Sequence, residues 1–110
     1  MSKPIDPQAA LEALWKIAPQ YAEAKGTRVY LEEFRKSLKA TLMKGCGENA
    51  IGAQEREAYA DPSYIEHIKA LQVAVQQEET LRWRLVASQA AIEVYRTQEA
   101  SSRQFEKAVR

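Results

Sequence analysis

From Ser63 to Arg110 the chain runs for 48 residues without a glycine or a proline. Neither of the two strongest backbone breakers interrupts it, and its apolar residues recur at helical spacing. Tyr64, Ile68, Leu71 and Val75 are followed by Leu81, Leu85, Ile92 and Tyr95. The stripe weakens at Glu78, which predicts a kink near 76–80. An unbroken helix of this length would reach ~60 to 70 Å, whereas a globule of this size has a radius of gyration of ~13 Å. Either the helix bends, or its end projects and meets a partner chain. The expected fold is all-α: a helical hairpin or bundle with a long C-terminal helix over 61–108. A chain of 110 residues makes one such domain, with residues 1–5 a flexible lead.

The first half is punctuated more often. Asp6-Pro7 is a helix start, because the carboxylate accepts orphan N–H groups and proline loses nothing at the first helical position. Leu11, Leu14, Trp15 and Ile17 predict a short helix over 7–17 that Pro19 breaks or kinks. A second helix then runs to Lys44, with Leu31, Phe34, Leu38 and Leu42 on one buried face, widened by Tyr30 and Met43. Gly26 weakens it, and 28–31 has an alternative as a short strand, although no partner strand is visible. Gly45-Cys46-Gly47-Glu48-Asn49 ends this helix, and a short helix over roughly 50–60 precedes Asp61-Pro62, a second start signal.

Charge and special residues exclude more than they suggest. The net charge of +1 hides a basic start (+3 over 1–46), an acidic middle (−5 over 47–80) and a basic end (+3 over 81–110). That pattern suits antiparallel packing or contact between copies, and gives no strong overall field. One cysteine, Cys46, permits no intrachain disulfide, and one histidine, His67, permits no two-histidine metal motif. His67 reads as a surface or boundary residue, and nothing in the spacing joins it to Cys46. Glu55 and Glu57 fall on different sides of a helix and read as a solvated face. No phosphate loop or membrane-length apolar run is present, and no secretory leader is expected. Catalytic residues, metal and cofactors are therefore not expected, and the expected setting is the cytoplasm.

Two basic rows and one apolar row remain as candidate sites. Lys25, Arg28, Arg35, Lys36, Lys39 and Lys44 lie along the second helix, and such a row could follow a phosphate backbone. Its bland alternative is a solvated face with pairs such as Glu32–Lys36. Arg82, Arg96, Arg103 and Arg110 repeat at seven-residue spacing, with Gln89 at the missing step, and Trp83 and Tyr95 offer rings for unpaired bases. The pairs Glu78–Arg82, Glu99–Arg103 and Glu106–Arg110 are the competing, purely structural use of those arginines. The long helix also carries two apolar rows, Leu81, Leu85, Ile92 and Tyr95 on one and Trp83, Val86, Ala90 and Val94 on the other. A helix apolar on two sides needs two neighbours, so these residues are a candidate oligomer interface and a homo-oligomer is expected.

Three stretches carry a resemblance: RVYLEEFRKSLKATLM (Arg28 to Met43), QEREAYADPSYIEHIKAL (Gln54 to Leu71) and VYRTQEASSR (Val94 to Arg103). Covering about 40% of the chain, they resemble small helical proteins encoded in tailed-phage and prophage genomes. The resemblance implies a place among early genes for recombination and replication, in a bacterial host cell. It supplies no catalytic residues and does not reach the stretch up to Lys25. Two functions follow as expectations. One is a non-enzymatic accessory factor that contacts DNA in its single-stranded form; the other is a helical module that oligomerises or binds a phage or host protein without nucleic acid.

Overall fold

The computed structural model describes residues 3–109 and contains three helices: α1 (Pro7–Gly45), α2 (Ile51–Ala60) and α3 (Pro62–Val109). No strand occurs among the described residues. The all-α class and the long C-terminal helix are as expected. No helix among the described residues is long and apolar enough to cross a membrane.

Both Asp-Pro starts work as local chemistry dictates. The Asp6 carboxylate accepts the N–H groups of Gln8 at 3.0 Å and Ala9 at 3.2 Å. Asp61 accepts the Ser63 N–H at 2.8 Å and the Ser63 hydroxyl at 2.6 Å. These bonds satisfy donors that the first turn of a helix leaves without partners. The Ser63 hydroxyl, and then its N–H, hold the Asp61 carboxyl below the ordinary carboxylate range. A folded pKa below the unfolded one gives stability that is fully present above ~3.9 and fades as pH falls through the lowered folded value. Asp61→Asn, which keeps an acceptor but cannot titrate, should flatten that part of the acid-side loss. Urea unfolding of both proteins at a series of pH values checks this.

The expected break at Pro19 does not occur, and α1 continues through it. Proline cannot donate to the carbonyl four residues back, here that of Trp15. Both residues are exposed, so water can take the place of the missing donor, while half-buried Ile17 and Tyr21 anchor the turn on its inner side. Arg28 to Leu31 are helical, which settles the alternative of a strand. Gly26 lies inside α1, and a Cβ built there meets nothing within 4 Å. Gly26→Ala should therefore stabilise the protein by about 1 kcal/mol, the usual helix-propensity difference, read as a rise in the urea midpoint. The α1 terminus matches the turn cluster, and Gly47 takes the left-handed conformation (φ 81°) that glycine adopts without penalty.

The fold divides into two compact units, Ala22–Glu79 and the pair of segments Met1–Tyr21 and Thr80–Arg110. Met1 and Ser2, part of the expected flexible 1–5, and Arg110 lie outside the described residues. In the first unit α1 and α3 run antiparallel, since Arg28 meets Glu78 while Leu31 and Phe34 meet His67. The covered positions of α3 here are Tyr64, His67, Leu71, Ala74 and Glu78. Their alternating steps of three and four are the 3.5-residue period of a coiled-coil seam. Ala24, Ala58 and Ala74 are buried, whereas no large side chain among the described residues is fully enclosed. In the second unit, Leu81, Leu85, Ser88, Ile92 and Tyr95 are among the covered positions of α3, and Leu14, Ile17 and Tyr21 are among those of α1.

The weak spot in the stripe at Glu78 has a cause in the packing, and residues 76–80 are helical. Glu78 occupies a seam position and is buried. Its Oε2 accepts from Arg28 Nε at 2.6 Å and its Oε1 from Arg28 Nη2 at 3.0 Å. Arg28 Nη1 donates in turn to Glu32 Oε2 at 3.0 Å. Hydrogen bonds to Glu78, then to Glu32, raise the Arg28 pKa and keep the guanidinium charged. A fork-to-fork pair of this kind fixes orientation as well as energy, and it joins α1 to α3 at one point of the seam.

Candidate nucleic-acid interface

The last turns of α1 present Arg35, Lys36 and Lys39, with Arg35 and Lys39 one helical turn apart. The turn after Gly45 sends α2 back, and α3 starts immediately beyond Asp61. That path places Tyr59 and Tyr64 beside the three cations, and the five side chains line one cleft of about 340 Å³. Lys39 Nζ stands 4.8 Å from the centre of the Tyr59 ring and 3.7 Å from Glu55 Oε1. A side-chain hydrogen bond with Tyr59 is the main cause raising the Lys39 pKa, and Glu55 adds to it. The Tyr59 and Tyr64 rings meet edge to face, 5.2 Å apart at 71°. Lys36 is exposed, with Glu33 at 3.4 Å, and Arg35 is exposed.

The two basic rows fare differently. Arg28 leaves the phosphate-contact row, because its guanidinium is committed to Glu78 and Glu32. Glu32 consequently serves Arg28, and Lys36 pairs with Glu33 in place of the expected Glu32. Lys25 and Lys44 are exposed but do not line the cleft. On α3, the Arg82 guanidinium lies 4.6 Å from the centre of the Trp83 ring, and Arg96 pairs with Glu93 at 3.2 Å. Arg103 is exposed, and Arg110 lies outside the described residues. A larger space of about 600 Å³ runs beside Arg96 and Arg103, but Glu93 and Glu99 line it too. Two arginines there face two carboxylates within the space itself, whereas the α1 cleft is lined by three cations, with the Glu33 and Glu55 carboxylates that pair with Lys36 and Lys39 outside its lining. The cleft is the better seat for a phosphate.

Other expectations also meet the geometry. Phe34, placed on the buried face, is 41% exposed, and Tyr30 is 63% exposed; their rings stack on each other at 5.8 Å instead. The α1–α3 contact covers only a narrow stripe, which leaves the edges of the wider face to solvent. His67 is a half-buried boundary residue whose Nε2 lies 2.7 Å from the Leu31 carbonyl, so that nitrogen carries the proton and donates it. The Cys46 thiol donates to the Met43 carbonyl at 3.2 Å. Leu81 is buried and Leu85, Ile92 and Tyr95 are half-buried, whereas Trp83, Val86 and Val94 are exposed. No group of three or more histidine, cysteine or acidic side chains among the described residues is placed to hold a metal.

Tyr59 had no signal of its own in the sequence. Its role depends on where α2 lies against α1, which is a long-range property. The available hint was a tyrosine on each side of the Asp61-Pro62 corner, opposite the basic end of α1. No protein-family model, curated protein or solved structure matches the chain.

Proposed function

We propose that this protein is a non-enzymatic accessory factor of phage origin that handles DNA during recombination or replication in a bacterial host, contacting single strands through the α1–α2–α3 cleft. The carrying observation is the convergence of Arg35, Lys36 and Lys39 with Tyr59 and Tyr64. Cations that neutralise phosphate, interleaved with rings that can meet bases, are the chemistry that single-strand binders use. A supporting point is that all five residues fall in the two longer stretches resembling phage proteins. The near-neutral net charge fits a confined contact better than a protein-wide field.

The test is fluorescence anisotropy with a labelled oligothymidylate and its duplex, at ~50 and ~200 mM salt, where phosphate-driven binding differs most. Salt-sensitive binding with preference for the single strand is expected. Absence of binding at the lower salt contradicts the proposal. A second reading, a helical module that binds proteins, is favoured by the solvent-exposed Trp83, Val86 and Val94.

A further inference from the structure

Within the unit containing Thr80–Arg110, α3 has two faces of different character. Leu81, Leu85, Ser88, Ile92 and Tyr95 form its covered side. Trp83, Val86, Ala90 and Val94 stand roughly 180° away at 3.6 residues per turn. All four are exposed, at 58%, 39% and 46% for Trp83, Val86 and Val94. Arg82, Arg84, Glu93, Arg96, Glu99 and Arg103 all fall outside the central ~120° of this back face. The strip from Val86 to Val94 therefore carries no charge along its centre, while the Arg82 guanidinium reaches the Trp83 ring from the side, 4.6 Å from the ring centre. The natural complement of the strip is another neutral apolar surface.

The spacing says which one. Trp83, Val86, Ala90, Val94 and Thr97 stand at −7, −4, 0, +4 and +7 about Ala90, a pattern that maps onto itself when reversed. We propose that a second copy of this chain covers this face, α3 against α3 in antiparallel orientation, with the two-fold axis at Ala90. A two-fold contact must be self-complementary in this way. Trp83 of one copy then faces Thr97 of the other, and Val86 faces Val94. The largest side chain meets a small one at each end, and the two alanines let the helices approach at the centre. A parallel pair would instead stack Trp83 on Trp83 and leave the alanine layer gapped. Antiparallel helix dipoles also oppose favourably. The Thr97 hydroxyl already donates to the Glu93 carbonyl at 3.1 Å, so covering it orphans no donor.

Sedimentation velocity of the full chain over a range of concentrations, in ~0.1 and ~1 M salt, tests the association. A dimer that survives the higher salt is expected, and Ala90→Glu should reduce it to monomer with unchanged helical circular dichroism. Orientation is read by oxidation in a Cys46→Ser background. Ala90→Cys should form a disulfide-linked dimer, whereas two Trp83→Cys sites would lie ~21 Å apart and should not. A monomer at every concentration overturns the proposal, as does crosslinking of Trp83→Cys as readily as of Ala90→Cys.

Discussion

Glu78→Ala should be the most damaging single change in the hairpin, lowering stability by about 2 kcal/mol. Removing one member of a buried ion pair leaves its partner desolvated and uncompensated, which costs ~3 to 5 kcal/mol in a dry interior. The loss here is smaller because the Arg28 side chain keeps 23% of its exposure and retains Glu32. The double replacement Arg28→Met with Glu78→Leu should recover most of the loss, because it removes both charges and fills the seam with apolar volume. Urea unfolding of the wild type, both single variants and the double gives the coupling directly. A Glu78→Ala loss under ~0.5 kcal/mol, the range of ordinary surface substitutions, would show that the pair is not part of the seam. If the pair also sets register, the double variant should keep its stability but lose sharp tertiary signals.

Charge reversal in the cleft is the second large effect. Arg35→Glu with Lys36→Glu should weaken single-strand binding on the order of tenfold or more at ~50 mM salt. The slope of log affinity against log salt should shrink by about 0.7 for each phosphate of a single strand that the variant no longer neutralises. Both residues are exposed, so the fold should survive, as helical circular dichroism would verify. Arg96→Glu with Arg103→Glu reverses as much charge on α3 and should leave affinity nearly unchanged. That comparison separates a localised interface from a general charge effect. Equal weakening by both pairs would assign the binding to the net field of the protein.

Features governed by neighbours in sequence were legible before the structure. The Asp6 and Asp61 caps, the glycine turn before α2 and the length of α3 depend on a few adjacent residues. Pro19 misled because its local penalty is real, while solvent on its side of α1 and packing on the other were not visible in sequence. Arg28 and Glu78 each looked like a defect in its own stripe, or a member of another row. Fifty positions apart in the chain, they explain one another only after the two helices pair. The cleft was legible in part. Arg35, Lys36 and Lys39 share a helical segment, but their aromatic neighbours come from α2 and the first turn of α3.

Backbone amide and side-chain chemical shifts, followed while a short oligothymidylate is added to the full chain, test the central claim most directly. Shifts concentrated at Arg35, Lys36, Lys39, Tyr59 and Tyr64, growing as salt is lowered, are the predicted result. A spectrum that stays still at low salt, or moves mainly along Arg82, Arg96 and Arg103, would contradict it.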